Sequence, residues 1–121
     1  MGRVPAANIR IKRIYEPPAP ADGRRLLVDR LWPRGVSKQA AAVDDWLKDI
    51  APSAELRTWF AHDPARWEGF QKRYADELRA RPQALAELRR LARERPVTLL
   101  YGAHDSVHNN AAALRRILLG R

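Results

Sequence analysis

The sequence predicts an α/β fold, in which a small, mostly parallel sheet of about three strands packs with helices as a two-layer or three-layer sandwich. Two short apolar segments, residues 26–28 and Val97–Tyr101, are typical of strands that are buried on both faces. A long, helix-rich insert separates them, and a crossover of this kind connects parallel strands. We therefore expect the carboxyl ends of these two strands to lie side by side at one edge of the sheet.

A further strand is predicted near the start of the chain. After a loose lead-in over residues 1–7, isoleucines alternate with basic residues in residues 8–15, which is the period of a half-exposed strand. Residues 16–23 contain three prolines and an Asp-Gly pair, so they form a loop. Because this loop is short for a crossover helix, antiparallel pairing of the first two strands is an alternative.

The insert between the two buried strands carries four predicted helices. The helical spacing of the apolar residues at 46, 47 and 50 predicts the first. Ser53 is the expected N-cap of the second helix. Asp63, which precedes a proline, starts a long third helix, and Pro82 opens the fourth.

One helix follows the last strand. Asp105 or Ser106 is its expected N-cap. Apolar residues recur at helical spacing over residues 114–118, so this face of the helix is expected to point into the core.

Length and composition limit the class of protein. A chain of 121 residues predicts one domain over residues 1–121. No apolar segment approaches the ~20 residues that cross a bilayer, and the first residues lack the apolar region of a signal peptide. We therefore expect a cytoplasmic protein without a membrane partner. Because the chain has no cysteine, disulfides, a thiol nucleophile and Cys-ligated zinc are excluded.

The charge distribution indicates an anionic partner. The formal net charge is +9; residues 1–38 and 79–121 each carry +6, whereas residues 39–78 carry −3. Basic surfaces of this kind favour phosphorylated molecules or nucleic acid. The excess of arginine, alanine and proline is equally typical of GC-rich coding, so the charge alone does not choose between these interpretations.

A polar turn follows the second predicted strand. Pro33 fixes its own backbone and keeps Trp32 out of helical geometry, so the chain turns there. Arg34 lies on this turn, and its guanidinium presents a fork of donors that matches phosphate or carboxylate. Asp29 and Arg30 either hold the same anion or only fix the loop. Trp32 either stacks on a ligand or closes off the site.

A second group of candidate residues follows the last strand, at the same predicted edge. We expect a ligand to contact Tyr101, Asp105, Asn109 and Asn110 there. The expected helix start over residues 105–110 offers free N–H groups and a dipole that suit a phosphate. His108 is the candidate general acid or base, with Asp29 as the other catalytic candidate.

No metal or cofactor is predicted. His104 and His108 are four residues apart, but residues 102–105 are expected to form a turn, so the two need not share a helix face. The glycine-rich loops that bind dinucleotides or nucleotide phosphates are absent, as is the serine-hydrolase elbow.

Several motifs occur in the order that is found in one known protein family. They are DRLWPRG at residues 29–35, WLKD at 46–49, WF with HDP over 59–64, and LLY followed by HNNA over 99–111. On these motifs the chain resembles the YeaO-like family of bacterial proteins, domain of unknown function 488, over about residues 9–119. The resemblance implies a compact α/β domain without a settled activity, substrate or cofactor. Longer relatives carry a Cys-His-Arg cluster near residues 108–110, and thiol chemistry proposed for them does not transfer to a chain without cysteine.

Two classes of function remain. The first is a small protein, enzymatic or not, with a site for a phosphorylated or nucleotide-like anion at the carboxyl edge of the sheet. The alternative is a nucleic-acid-binding or accessory protein-interaction module without catalysis, in which Arg89, Arg90 and Arg93 would matter as much as Arg34. The sequence decides neither between these classes nor whether the protein is an enzyme, and it does not predict the oligomeric state.

Overall fold

A four-stranded sheet forms the centre of the fold in the computed structural model, which describes residues 3–121. The strands are β1 (Ile9–Arg13), β2 (Arg24–Leu27), β3 (Asp45–Trp46) and β4 (Val97–Tyr101). The helices are α1 (Lys38–Ala41), α2 (Ala54–Phe60), α3 (Trp67–Arg79), α4 (Pro82–Glu94) and α5 (Asn110–Leu118). Short 3₁₀ turns lie at Ala6–Asn8, Pro20–Asp22, Lys48–Ile50 and Pro64–Arg66. Met1 and Gly2, the first residues of the predicted lead-in, lie outside the described residues.

The predicted α/β class is confirmed, and the sheet has four strands where about three were expected. Its order is β1-β4-β2-β3, and every neighbouring pair is parallel. Because β4 lies between β1 and β2, the first two strands are not neighbours, and the antiparallel alternative is wrong. Leu26 and Leu27 of β2 lie opposite Leu99 and Leu100 of β4, so the two buried strands end side by side as expected.

The segment predicted as the first helix of the insert is strand β3 followed by a 3₁₀ turn, so that prediction is wrong. The N–H of Leu47 donates to the carbonyl of Leu27 at 2.8 Å. The indole N–H of Trp46 donates to the backbone carbonyl of Asp29 at 2.7 Å. These contacts with β2 and the residues after it outweigh the helical spacing, because local propensity is weak relative to tertiary pairing.

The other predicted helix starts in the insert are confirmed. The hydroxyl of Ser53 accepts the N–H of Leu56 at 3.1 Å and caps α2. Asp63 accepts the N–H of Ala65 at 3.0 Å and caps the 3₁₀ turn that leads into α3. Pro82 is the first residue of α4, where its missing N–H would have no partner.

The predicted cap of the last helix is wrong. The N-cap of α5 is Asn109, whose side-chain oxygen accepts the N–H of Ala112 at 2.8 Å, rather than Asp105 or Ser106. Asp105 instead accepts the backbone N–H groups two and three residues after it, and this closes a polar loop before the helix. Leu114 and Leu118 are buried as predicted, and Ile117 is half-buried.

Both faces of the sheet are covered. On one face Leu26, Val28 and Leu99 belong to the main core, which includes buried side chains of α2, α3, α4 and α5. On the other face Leu27 and Leu100 belong to a smaller cluster, whose other members are Ile14, Trp32, Val36, Ala41, Val43 and Trp46. No helix within residues 3–121 combines the length and apolar character that crossing a membrane requires.

A buried ion pair fixes the start of β2. The guanidinium of Arg25 donates to Asp22 at 2.6 Å and to the carbonyl of Ala41 at 2.7 Å. Lys12 of β1 donates to the same carboxylate at 3.0 Å. Burial raises the pKa of Asp22, but the N–H of Ala19 and the two cations outweigh it, so this pKa lies below its ordinary value. Through Lys12 and Arg25, the carboxylate of Asp22 therefore connects β1 to β2.

The backbone at Gly23 generates the first prediction. Gly23 precedes β2 with φ of 62°, and a Cβ built there would lie 2.2 Å from the carbonyl oxygen of Pro96. Alanine at this position meets both a left-handed backbone and a clash with backbone. Its φ of 62° and ψ of −136° lie in a sparsely populated region, so we expect Gly23→Ala to lower the free energy of unfolding by about 1–3 kcal/mol for the backbone and a further ~1–3 kcal/mol for the overlap, measured by urea denaturation.

Gly35 provides the matched control. Its φ is 71°, and nothing lies within 4 Å of a Cβ built there. Gly35→Ala should therefore show only the backbone part of the loss. Equal destabilisation of the two variants would contradict a close approach between Gly23 and Pro96.

Candidate functional site

A pocket of about 750 Å³ opens at the carboxyl edge of the sheet, and we call it the carboxyl-edge pocket. Its titratable lining residues are Asp29, Arg30, Arg34, Arg57, His62, His104 and Asp105. Its apolar wall consists of Leu31, Trp32, Pro33, Pro52, Phe60 and Phe70, and Gly102, Ala103 and Asn110 complete the lining. This volume lies within the range of small-molecule sites, about 300–1,000 Å³.

The side chain of Asp29 joins three elements at the floor of the pocket. It follows β2, and one carboxylate oxygen accepts the N–H of Gly102, just after β4, at 2.9 Å. The other oxygen accepts the side-chain amide of Asn110, the first residue of α5, at 3.1 Å. The same amide donates to the carbonyl of Val28 at 2.8 Å. Asp29 and Asn110 thus hold the ends of β2 and β4 against the start of α5.

Burial raises the pKa of Asp29 above its ordinary value, because a charged carboxylate is disfavoured away from water. The hydrogen bonds from Asn110 and Gly102 and the proximity of Arg57 and His62 lower this pKa without cancelling the effect of burial. Both oxygens of this carboxylate already accept hydrogen bonds. The surroundings of Asp29 therefore fit a structural role, in which it joins β2, β4 and α5, and they fit an acid–base role equally well.

Three arginines supply positive charge to the carboxyl-edge pocket. The guanidinium of Arg30 donates to the carbonyl of Pro52 at 3.1 Å, so its position is fixed. Arg34 and Arg57 are exposed, and within residues 3–121 neither guanidinium forms an ion pair or a hydrogen bond. The turn that carries Arg34 is held by Tyr15, whose hydroxyl donates to the carbonyl of Arg34 at 2.9 Å. Two unpaired cations therefore line a pocket that also has apolar walls.

An unusual backbone places His62 in the lining. Ala61 and His62 both have left-handed conformations, with φ of 49° and 56°. Such conformations cost about 1–3 kcal/mol each in residues other than glycine. The neighbouring side chain of Phe60 stacks on Phe70 with 4.4 Å between ring centroids, and the N–H of Asp63 donates to the carbonyl of Phe60 at 2.9 Å. This packing holds the turn after α2 against the pocket.

The loop after β4 is stabilised by Asp105. Its carboxylate accepts the N–H groups of His108 and Val107 at 2.9 and 2.8 Å and lies 2.9 Å from Nδ1 of His108. These contacts lower the pKa of Asp105 to about 2. The carboxylate thus occupies N–H groups that the sequence had offered to a phosphate. In the part of the chain described, no group of three or more histidine or acidic side chains is arranged to hold a metal ion.

The structure brings six sequence-predicted site residues into the carboxyl-edge pocket: Asp29, Arg30, Trp32, Arg34, Asp105 and Asn110. Three others lie outside its lining. Tyr101 is buried in the core, and Asn109 is buried as the cap of α5. The ring of His108 packs edge-on against Trp67 with 5.3 Å between centroids.

Sequence reasoning missed Arg57. It lies three residues before Phe60 on α2, so its place beside an inward-facing aromatic residue was a signal. No sequence pattern indicated that α2 would lie against the ends of β2 and β4. The left-handed turn at Ala61 and His62 was equally hidden, because neither residue favours that conformation.

Comparisons with known proteins identify a family. A family model described as the inactive DUF488-N3 subclade matches residues 8–121. The chain is 44% identical over 114 residues to an uncharacterised protein of Mycobacterium tuberculosis, which covers 94% of this chain and 96% of that protein. It is 43% identical over 107 residues to the uncharacterised protein YeaO of Escherichia coli, covering 88% of this chain and 93% of that protein. No solved structure gives a significant match.

The bridge between Asn110 and Asp29 generates the second prediction. Asn110→Asp keeps the shape of the side chain, removes the donor to Val28 and Asp29, and adds a second carboxylate beside the first. We expect a loss of at least about 2 kcal/mol in the free energy of unfolding at pH 7, measured by urea denaturation. The loss should shrink as the pH falls, because a carboxyl pair that shares a proton no longer repels.

Gln83→Glu is the control, because it adds the same charge at an exposed position in the first turn of α4. Its stability should stay close to that of the wild type. A loss for Asn110→Asp that does not change with pH would argue against repulsion between the two carboxylates.

The low pKa of Asp105 generates the third prediction. Its folded pKa of about 2 lies below the ordinary value of 3.8, so the folded state binds this proton more weakly than the unfolded state. The resulting stability is present above the ordinary pKa and is lost as the pH falls towards 2. Asp105→Asn retains an oxygen for the backbone N–H groups but does not titrate, so its stability should fall less steeply through this window.

Urea denaturation at several pH values measures both slopes. Asp49→Asn changes an exposed aspartate that lies outside the carboxyl-edge pocket, and its slope should match the wild type. The assignment would be wrong if Asp105→Asn and the wild type lost stability in parallel.

Proposed function

Because the chain belongs to the DUF488 family, in a subclade described as inactive, we propose that it binds an organic anion in the carboxyl-edge pocket and does not transform it. The anion is of the phosphorylated or nucleotide-like type that the sequence predicts. One observation carries the proposal: the unpaired guanidinium groups of Arg34 and Arg57 line the same pocket as Arg30.

The charge balance of the lining favours an anion. The lining contains three arginines and two carboxylates. The two carboxylates, Asp29 and Asp105, already accept hydrogen bonds from within the chain. Arginine is permanently protonated and binds phosphate or carboxylate with two parallel hydrogen bonds. A ligand anion would therefore find free donors at Arg34 and Arg57.

The apolar wall supports an organic ligand in preference to a bare ion. Leu31, Trp32 and Pro33 line the carboxyl-edge pocket from the turn after β2, and Phe60 and Phe70 line it from α2 and α3. A pocket with apolar walls and a few convergent polar groups is typical of small-molecule sites. A ribose or base attached to the phosphate would use this wall.

The positions of Asp29 and His108, the two proton-transfer candidates, agree with binding without catalysis. His108 lies outside the pocket lining, and its Nδ1 is engaged by Asp105. Both oxygens of Asp29 accept hydrogen bonds from the chain. A general acid or base has to reach the reacting group, and His108 would have to do so from outside the pocket lining. Asp29 lies in the lining, where its carboxylate joins the ends of β2 and β4 to α5.

The nucleic-acid alternative draws less support from the contacts. Arg89 donates to the carbonyls of Ile117 and Leu118 at the end of α5. Arg90 is paired with Glu87 and with Glu94. Arg89 and Arg90 would have to exchange these partners for phosphate contacts, whereas Arg93 is exposed and has no ion-pair partner within residues 3–121.

The fourth prediction tests the pocket by thermal shift with inorganic phosphate, ribose 5-phosphate and AMP. We expect AMP to raise the Tm most, because it offers both a phosphate and a ring. At about 100 times its Kd, a ligand stabilises the folded state by about 2.7 kcal/mol. Arg34→Ala should weaken AMP binding about tenfold, since it removes a charge-assisted contact.

Arg93→Ala is the matched control, because it removes an exposed arginine of α4 that has no ion-pair partner within residues 3–121. Its response to AMP should equal that of the wild type. The proposal fails if no anion raises the Tm, or if Arg34→Ala and Arg93→Ala respond alike.

A further inference from the structure

The exposed large hydrophobic side chains of the described chain lie on loops that follow strands at one edge of the sheet. They are Tyr15 after β1, Leu31 after β2 and Val107 after β4, with exposed fractions of 46%, 61% and 61%. Because all strands are parallel, these three loops leave the sheet at the same edge. Single exposed apolar residues are common, but their concentration at one edge is informative.

This apolar edge borders the carboxyl-edge pocket. Leu31 is part of the pocket lining. Tyr15 is bonded to the backbone of Arg34, and the N–H of Val107 is bonded to Asp105. The apolar side chains therefore lie beside the cationic pocket. We call these three residues the apolar rim.

We infer that the apolar rim and the carboxyl-edge pocket together form a docking surface for an acidic segment of a partner protein. A carboxylate of the segment would enter the pocket towards Arg34 and Arg57, and its aliphatic neighbours would cover Leu31 and Val107. The inference rests on the proposed function, because the carboxylate would use the same arginines as a small anion. It adds a second class of ligand for those arginines, in which a protein carboxylate takes the place of the phosphate of a small molecule.

A ligand that covers the apolar rim has to be larger than the pocket. Tyr15 and Val107 are not part of the pocket lining, so a ligand confined to its ~750 Å³ would leave both exposed. An extended segment that starts in the pocket and continues over the rim would bury them. Burial of apolar area is the main favourable contribution to such association.

The chemistry of the rim favours a protein segment over nucleic acid. Bases stack on aromatic faces, whereas Leu31 and Val107 are aliphatic. One face of the Tyr15 ring is covered by the guanidinium of Arg13 at 4.6 Å from the ring centroid. Aliphatic side chains pack well against aliphatic side chains of a partner.

Charge complementarity favours an acidic partner over a second copy of this chain. The protein carries a net charge of +9, and a symmetric dimer would bring the same arginines together at this edge. An acidic segment supplies the opposite charge, which both strengthens binding and increases the association rate.

The fifth prediction uses peptides selected from a random twelve-residue display library on the whole protein. The selected peptides should be enriched in glutamate or aspartate together with leucine, isoleucine or valine. The best peptide is then labelled, and its Kd is measured by fluorescence anisotropy. AMP should displace it, because the carboxylate and the phosphate share the arginines. The affinity of the peptide should fall with added salt, because salt screens the attraction between these charges.

Val107→Ser separates the inference from the proposed function. This side chain lies on the rim and outside the pocket lining, so the peptide Kd should rise about fivefold while the AMP thermal shift stays unchanged. Arg34→Ala should weaken both ligands. Ala86→Ser, on the exposed side of α4, should weaken neither.

Several results would overturn the inference. They are a selection without acidic and aliphatic enrichment or without any binder, peptide binding that ignores Val107→Ser, and tighter binding of an oligouridine RNA than of the peptide. Concentration-dependent dimerisation that Val107→Ser abolishes would assign the rim to a second copy and would also overturn it. If any of these occurs while Arg34→Ala still removes the AMP shift, the proposed function stands. If AMP does not raise the Tm and no peptide binds, the proposed function and the inference both fail.

Discussion

The carboxyl edge of this protein depends on the hydrogen bonds that Asp29 accepts from Gly102 and Asn110. Parallel strands leave their carboxyl ends pointing the same way, and their loops need polar partners once they are removed from water. One carboxylate serves the loops after β2 and β4 and the start of α5 together. Burial makes the charged form less favourable, so this connection is maintained against a desolvation penalty. The pocket above it exists because these three elements meet there.

The carboxyl-edge pocket combines arginines whose side chains have no hydrogen-bond partner in the described part of the chain with aspartates that already accept hydrogen bonds. Asp29 and Asp105 are engaged from within the chain, whereas Arg34 and Arg57 are not. An acid that already accepts two hydrogen bonds neutralises a nearby arginine less completely than a free carboxylate would. The attraction of the pocket for an anion therefore depends on the hydrogen bonds of its two aspartates. A count of charged residues alone would underestimate that attraction.

The sequence predicts those parts of the fold that local chemistry dictates. Continuous apolar segments identified β2 and β4, and a serine cap and an aspartate cap identified helix starts in the insert. It could not reveal β3, because two residues become a strand only through pairing with β2. The position of Arg57 depends on how α2 packs, and the left-handed backbone at His62 depends on tertiary contacts. The carboxyl edge of the sheet was predictable, but the part of the pocket lining that α2 and the turn after it contribute was not.

The loop before α5 connects the family description with the contacts. The resemblance places a Cys-His-Arg cluster of longer relatives near residues 108–110, and here each of these positions has a structural task. His108 pairs with Asp105, Asn109 caps α5, and Asn110 bridges Val28 and Asp29. These contacts account for all three side chains without a catalytic role. In this chain the loop holds the pocket together, and the charged groups left for a ligand are the arginines of its lining.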